Sequence, residues 1–177
     1  MNNVVLIGMP GVGKSSIGVI LAKELGKQFV DADLEIQRRE KRLLREILEQ
    51  EGVEGFLAAE ERVNASIEAD DTVIATGGSA VYSEKAMAHL GSGGTVVYLK
   101  LPYDQLERRL GDLNDRGVVL REGQTLRELY EERIVLYERY ADVTVDEAGR
   151  GMEETLAAVI GALREHGEPA ADDKKYV

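Results

Sequence analysis

Short apolar runs alternate along the chain with longer stretches in which apolar residues return every three or four positions. Val4-Val5-Leu6-Ile7 shows no polar alternation, the pattern of a strand buried on both faces. A glycine-rich turn follows, and then Ile17, Ile20, Leu21 and Leu25 fall at helical spacing, with Gly26 placed to stop the helix. Further strands are predicted at Phe29-Val30-Asp31, Thr72 to Thr76, Thr95 to Leu99 and Val143-Thr144-Val145. Helices are predicted from Leu34 to about Glu68, broken near Gly52 and Gly55, and over 83–90, 103–110, 124–139 and 152–164. This alternation implies a parallel sheet covered on both faces. No repeat or linker divides the chain, so 1–166 is read as one domain. The polar end, Gly167 to Val177, is read as a flexible tail.

The turn after the first strand carries the chemistry. Gly8-Met9-Pro10-Gly11-Val12-Gly13-Lys14-Ser15 matches G-x-x-x-x-G-K-[ST] in full, between a buried strand and an amphipathic helix. In such a loop, glycines let backbone N–H groups turn inward around phosphate oxygens, and the helix N-terminus adds positive dipole. Lys14 is placed to reach the β- and γ-phosphates of ATP, and the Ser15 hydroxyl to ligate Mg²⁺. Gly11, Val12, Gly13 and Ser16 complete the nucleotide contacts expected of this segment.

Composition narrows the rest. The 177 residues suffice for one domain with a hydrophobic core. The absence of cysteine excludes disulfides, thiol nucleophiles and thiolate metal sites. A net charge of −11 with no basic run argues against a nucleic-acid surface. No apolar run approaches the roughly 20 residues that span a bilayer, and the N-terminus has no basic n-region. The expectation is therefore a cytoplasmic protein without membrane attachment, working as a monomer on a small molecule. An acidic protein that binds an anion needs a local pocket to override its global field.

Several residues suit such a pocket. Asp31 and Asp33 flank Ala32, and in an extended segment they would point to one side at a strand end, where open α/β sheets bind ligands. One carboxylate suits Mg²⁺ and the other an acceptor hydroxyl. The alternative is that Asp33 only caps the helix beginning at Leu34. Gly77-Gly78 permits close backbone approach to a ligand, or marks a plain turn. Arg133 falls in the apolar stripe of Leu126, Leu129, Tyr130, Ile134 and Tyr137. A cation there needs a partner, either a substrate anion or an internal carboxylate. Gly111 to Gly123 is polar and glycine-punctuated. It reads as a lid carrying Arg116 toward the transferred phosphoryl group, or as an ordinary mobile loop. Arg109 suits stacking on adenine or a solvated helix end.

Taken together, the chain resembles the shikimate kinase family of P-loop proteins, from Asn3 to about Leu163. The resemblance rests on the phosphate loop, Asp31-Ala32-Asp33, Glu51-Gly52 with Phe56 and Glu60-Glu61, Gly77-Gly78, Arg108-Arg109, Arg116, and Arg133 with Leu136-Tyr137. It implies a three-layer α/β/α fold with a five-stranded parallel sheet of order 2-3-1-4-5, acceptor-binding helices over about 33–62 and a lid over about 111–123. It implies catalytic roles for Lys14, Asp33 and Arg116, with Ser15 and Asp31 on the metal. Asp33, Gly77, Gly78 and Arg133 fall to the acceptor, and Arg109 and Arg150 to the nucleotide.

The chain departs from the family pattern at three places. Leu57 stands where the family usually has a second arginine for the shikimate carboxylate. The usual triple glycine reads Gly77-Gly78-Ser79, and the lid's Arg-Pro-Leu reads Arg116-Gly117-Val118. Loss of one bidentate arginine costs ~2–3 kcal/mol, a roughly 30–150-fold weaker acceptor. Besides a shikimate kinase, two readings follow: a kinase for another small hydroxylated metabolite, and a nucleotide-binding protein without turnover.

Overall fold

The computed structural model describes residues 2–110 and 118–167. Five parallel strands form one sheet: β1 (Asn3–Ile7), β2 (Gln28–Asp31), β3 (Thr72–Ala75), β4 (Gly94–Lys100) and β5 (Val143–Asp146), in the order β2-β3-β1-β4-β5. The order and parallel pairing agree with the expectation from sequence. β1 is central and every one of its residues is buried, which is why its sequence reads as an unbroken apolar run. β5 lies at the edge, where only Val145 is fully buried, so its pattern is the faintest of the five.

Around the sheet lie α1 (Lys14–Leu25), α2 (Ala32–Glu40), α3 (Leu44–Asn64), α4 (Glu84–Ser92), α5 (Tyr103–Leu110), α6 (Leu126–Tyr140) and α7 (Met152–Glu165). Right-handed crossovers dictate their sides. From β1 the chain moves outward to β2, which sets α1 on one face. From β3 it returns past β1 to β4, which sets α4 and then α6 on the opposite face. α7 packs against α1 and closes the first layer.

The helix expected from Leu34 to Glu68 is two helices. α2 ends at Lys41, a non-glycine residue in the left-handed region at φ 55 that leaves no mark in the sequence. Within α3 the chain kinks at Gly52, with φ 69 and ψ −172, whereas Gly55 stays helical. The kink turns the second half of α3 back over α2. Ile36, Ile47, Phe56, Ala59, Val63 and Val119 then form a small apolar cluster of their own, separate from the main core.

Leu6 tests the main core directly. It is fully buried in β1 between β3 and β4. Leu6→Ala should cost about 3–4 kcal/mol, read as a lower urea midpoint at unchanged slope.

Candidate active site

The central strand ends where the strand order reverses, between β3 on one side and β4 on the other, the place where such sheets hold ligands. The loop from Gly8 to Ser15 occupies that point and leads directly into α1. Gly8, at φ 147, passes so close to β4 that a Cβ would sit 2.7 Å from the Leu99 carbonyl oxygen. Gly13, at φ 98, caps α1 without a side chain, so the first amides of the helix stay free to face a ligand. Lys14 is buried, and its Nζ donates to the carbonyls of Gly8 at 2.8 Å and Met9 at 2.9 Å. Burial pushes its pKa down to about 8, against the pull of Asp33, Glu147 and Asp31.

Asp31 and Asp33 do not share one extended segment. Asp31 ends β2 and caps α2, with Oδ1 accepting from the amides of Asp33 at 3.0 Å and Leu34 at 3.2 Å. The helix therefore begins at Ala32, and Asp33 does not cap it. Instead Asp33 occupies the first turn of α2, and its carboxylate reaches the cleft. Burial raises the Asp33 pKa, helped by the Asp31 charge and opposed by Lys14. Asp31 Oδ2 accepts a hydrogen bond of 2.6 Å from Ser15 Oγ. A carboxylate and a hydroxyl in contact at the loop mouth fit Mg²⁺, which keeps several waters and takes its remaining oxygens from phosphate. Among the described residues no cluster of three or more His, Asp or Glu offers a cage for a metal.

The cleft continues from the loop over Asp33, Phe56, Glu60, Thr76, Gly77, Gly78, Ser79, Val119 and Arg133, with a volume of about 280 Å³. Arg133 is 1 % exposed, as its place in the α6 stripe requires. Its Nε donates to the Tyr82 hydroxyl at 3.3 Å and its Nη2 to the Val119 carbonyl at 3.4 Å, while its guanidinium lies 5.2 Å from the Tyr82 ring centre. No carboxylate forms an ion pair with it among the described residues. Its Nη1 lies beside Gly78, 3.0 Å from where a Cβ there would stand. Tyr137, one turn along α6, donates to the Gly78 carbonyl at 2.6 Å and ties the helix to this strand end.

Gly77 is pressed from two sides. A Cβ there would collide with Glu60 Oε1 and lie 2.8 Å from Asp33 Oδ1. The close approach that glycine permits is thus made by two of the protein's own carboxyl groups.

On the nucleotide side, Arg109 Nη1 lies 3.4 Å from both the Val12 carbonyl and Glu147 Oε2. Glu147 is 1 % exposed, and burial raises its pKa to about 7, opposed by Arg109 and Lys14. Arg150 is exposed beyond β5, with its amide donating to the Glu147 carbonyl. Gly11, Ser15 and Ser16 line the loop side of the cleft, and Val12 packs inward. Arg116 and most of the expected lid lie outside the described residues, as does nearly all of the expected tail.

A family model described as shikimate kinase matches residues 10–164. The chain belongs to the shikimate kinase family. A shikimate kinase from Thiobacillus denitrificans is 39 % identical over 92 % of this chain and 90 % of its own length. One from Methylococcus capsulatus is 36 % identical over 93 % and 94 %. Among solved structures, shikimate kinase from Acinetobacter baumannii in complex with shikimate superposes with a TM-score of 0.83, covering 96 % of both chains at 30 % identity. A gluconokinase from Sinorhizobium meliloti, at 21 % identity and TM-score 0.55, shares the fold. As in its relatives, the chemistry is phosphotransfer to an alcohol.

Sequence reasoning left Glu60, Ser79, Tyr82 and Glu147 without roles in this shikimate kinase family member. Glu60 was legible: it lies one turn from Phe56 on the buried face of α3, the logic that singled out Arg133. Glu147 had no such signal, because it follows an edge strand.

The cradle is testable with an anion that carries no base or sugar. Lys14→Met should weaken binding of inorganic tripolyphosphate roughly 30–150-fold, about 2–3 kcal/mol, by titration calorimetry with unchanged circular dichroism.

Proposed function

We propose that the chain transfers the γ-phosphoryl group of ATP to a hydroxyl of shikimate, giving ADP and shikimate 3-phosphate. The observation that carries this reading is Arg133, a buried guanidinium facing the cleft beside Gly78 with no carboxylate paired to it among the described residues. Such a cation calls for an anionic ligand, and shikimate brings one carboxylate together with hydroxyls. The relative solved with shikimate supports the same acceptor.

Each residue then has a task set by its position. Amides of Gly11, Val12, Gly13, Lys14 and Ser15 surround the polyphosphate, with Ser16 behind them. Lys14 leaves the Gly8 and Met9 carbonyls for phosphate oxygens, whose negative charge favours its ammonium form. Ser15 and Asp31 would hold the metal, which would supply charge neutralisation for the polyphosphate. Asp33, at the loop end of the cleft, orients the attacking hydroxyl. Arg133 holds the acceptor carboxylate at the far end, and Gly77 and Gly78 leave room for the carboxyl groups and the guanidinium that face the acceptor. Arg109 and Arg150 flank the base side, and the family resemblance assigns the transferred group to Arg116, outside the described residues. Positioning and charge spreading account for most of the rate in a loose phosphoryl transfer. No described helix is long and apolar enough to cross a membrane.

ADP release with shikimate, ATP and magnesium tests the reading. Arg133→Ala should raise the shikimate KM about 100-fold with a smaller effect on the ATP KM. Leu57→Arg should lower the shikimate KM. Absence of shikimate-dependent ADP release from the wild type, with release on another hydroxylated acid, would replace shikimate as the acceptor.

A further inference from the structure

One carboxyl group in the cleft has a task that the phosphotransfer chemistry leaves unassigned. Glu60 is 2 % exposed on α3 and lines the cleft between Asp33 and Arg133. Its Oε2 accepts a hydrogen bond of 2.6 Å from Ser79 Oγ. Its Oε1 is buried with no partner. That atom and Asp33 Oδ1 converge on the same point above Gly77. Two carboxylates directed at one point do not both ionise readily, and one of them keeps its proton.

The surroundings decide which one that is. Asp33 needs its charge to orient the attacking hydroxyl, which leaves the proton to Glu60, the more deeply buried of the two. Glu60 faces Asp33 from α2, Lys14 from α1, Arg133 and Tyr137 from α6, and Ser79 from the segment after β3. Glu61, next along α3, is turned away and accepts from Ser83 Oγ. Neither cation comes within ion-pair distance of Glu60. The resemblance would place an arginine at residue 57, but Leu57 stands there, in a hollow shared with Glu60, Ser79 and Tyr82. Ser79, where the family's third glycine is usual, supplies a neutral donor in the same hollow.

We propose that Glu60 binds the acceptor as a neutral carboxylic acid, oriented by Ser79, with its Oε1–H donating to an acceptor oxygen. Leu57 and Ser79 are then a linked pair of changes. The first withdraws a cation that would keep Glu60 ionised, and the second fixes the carboxyl by a neutral hydrogen bond. The pocket replaces a charged contact with a protonated one, and acceptor affinity becomes dependent on pH. The direction of the Glu60 shift agrees: burial raises its pKa to about 7, against the Ser79 hydrogen bond. The acceptor binds the protonated form, so affinity is full below about 7 and declines as the pH rises through that value. Ionised Glu60 would offer no donor and would repel both Asp33 and an acidic acceptor.

This proposal rests on shikimate being the acceptor, and calorimetry of shikimate binding without nucleotide, from pH 5.5 to 9, separates the two. Wild type should bind with affinity falling up to tenfold per pH unit above about 7. Glu60→Gln, which donates at every pH, should remove that limb and bind at least tenfold tighter than wild type at pH 8.5. Lys14 is unchanged in this variant, so its own titration would leave the limb in place. Ser79→Ala removes a bond that favours the ionised form, and should move the limb to higher pH. A wild-type affinity flat across the range, or a limb that persists in Glu60→Gln, overturns the proposal while leaving shikimate as acceptor. No shikimate binding or turnover at any pH overturns both.

Discussion

Four ionisable side chains, Lys14, Asp33, Glu60 and Arg133, are largely withdrawn from water in one cleft, and none is joined to another by an ion pair. Burying charge without a direct partner is costly, and the rest of the molecule is arranged so that the cost is borne. The central strands supply the rigidity. β1 and β3 are buried throughout, and they end together beneath the cleft. Backbone carbonyls and hydroxyls hold three of these groups in place: Gly8 and Met9 for Lys14, Val119 and Tyr82 for Arg133, Ser79 for Glu60. These neutral contacts leave the groups available to a ligand.

The sheet could be read from the chain because its physical cause is local. An unbroken β-branched run followed by a glycine-rich turn and an amphipathic helix admits few arrangements, and β1 with α1 is one of them. Arg133 was legible for a similar reason, since a cation in an apolar stripe conflicts with its neighbours unless something answers it. What escaped the sequence depends on tertiary contact. Lys41 ends α2 in a conformation that no residue type announces. Asp31, and not Asp33, caps α2, because strand and helix meet without a loop between them. Glu147 becomes buried only when β5 docks beside β4 and places it near Arg109 and the phosphate loop.

Two of the three departures from the family pattern, Leu57 and Ser79, fall on the acceptor side of the cleft, and none falls in the phosphate loop. That division follows from what each part recognises. Polyphosphate is met mainly by backbone amides and one lysine, a geometry with little tolerance for change. The acceptor is met by side chains from α2, α3, α6 and the strand ends, which can be exchanged in compensating groups. Leu57 and Ser79 have the positions of such a group, on facing elements with Glu60 between them.

Val119 belongs to the apolar cluster with Ile36, Ile47 and Phe56, while its carbonyl accepts from Arg133 Nη2. One residue therefore serves as a latch for two layers at once. A displacement of this stretch exposes hydrocarbon between α2 and α3 and, in the same motion, frees a guanidinium donor. An incoming anion that claims this donor competes with the latch, so occupancy of the acceptor end and the seating of the chain near residue 119 are mechanically coupled.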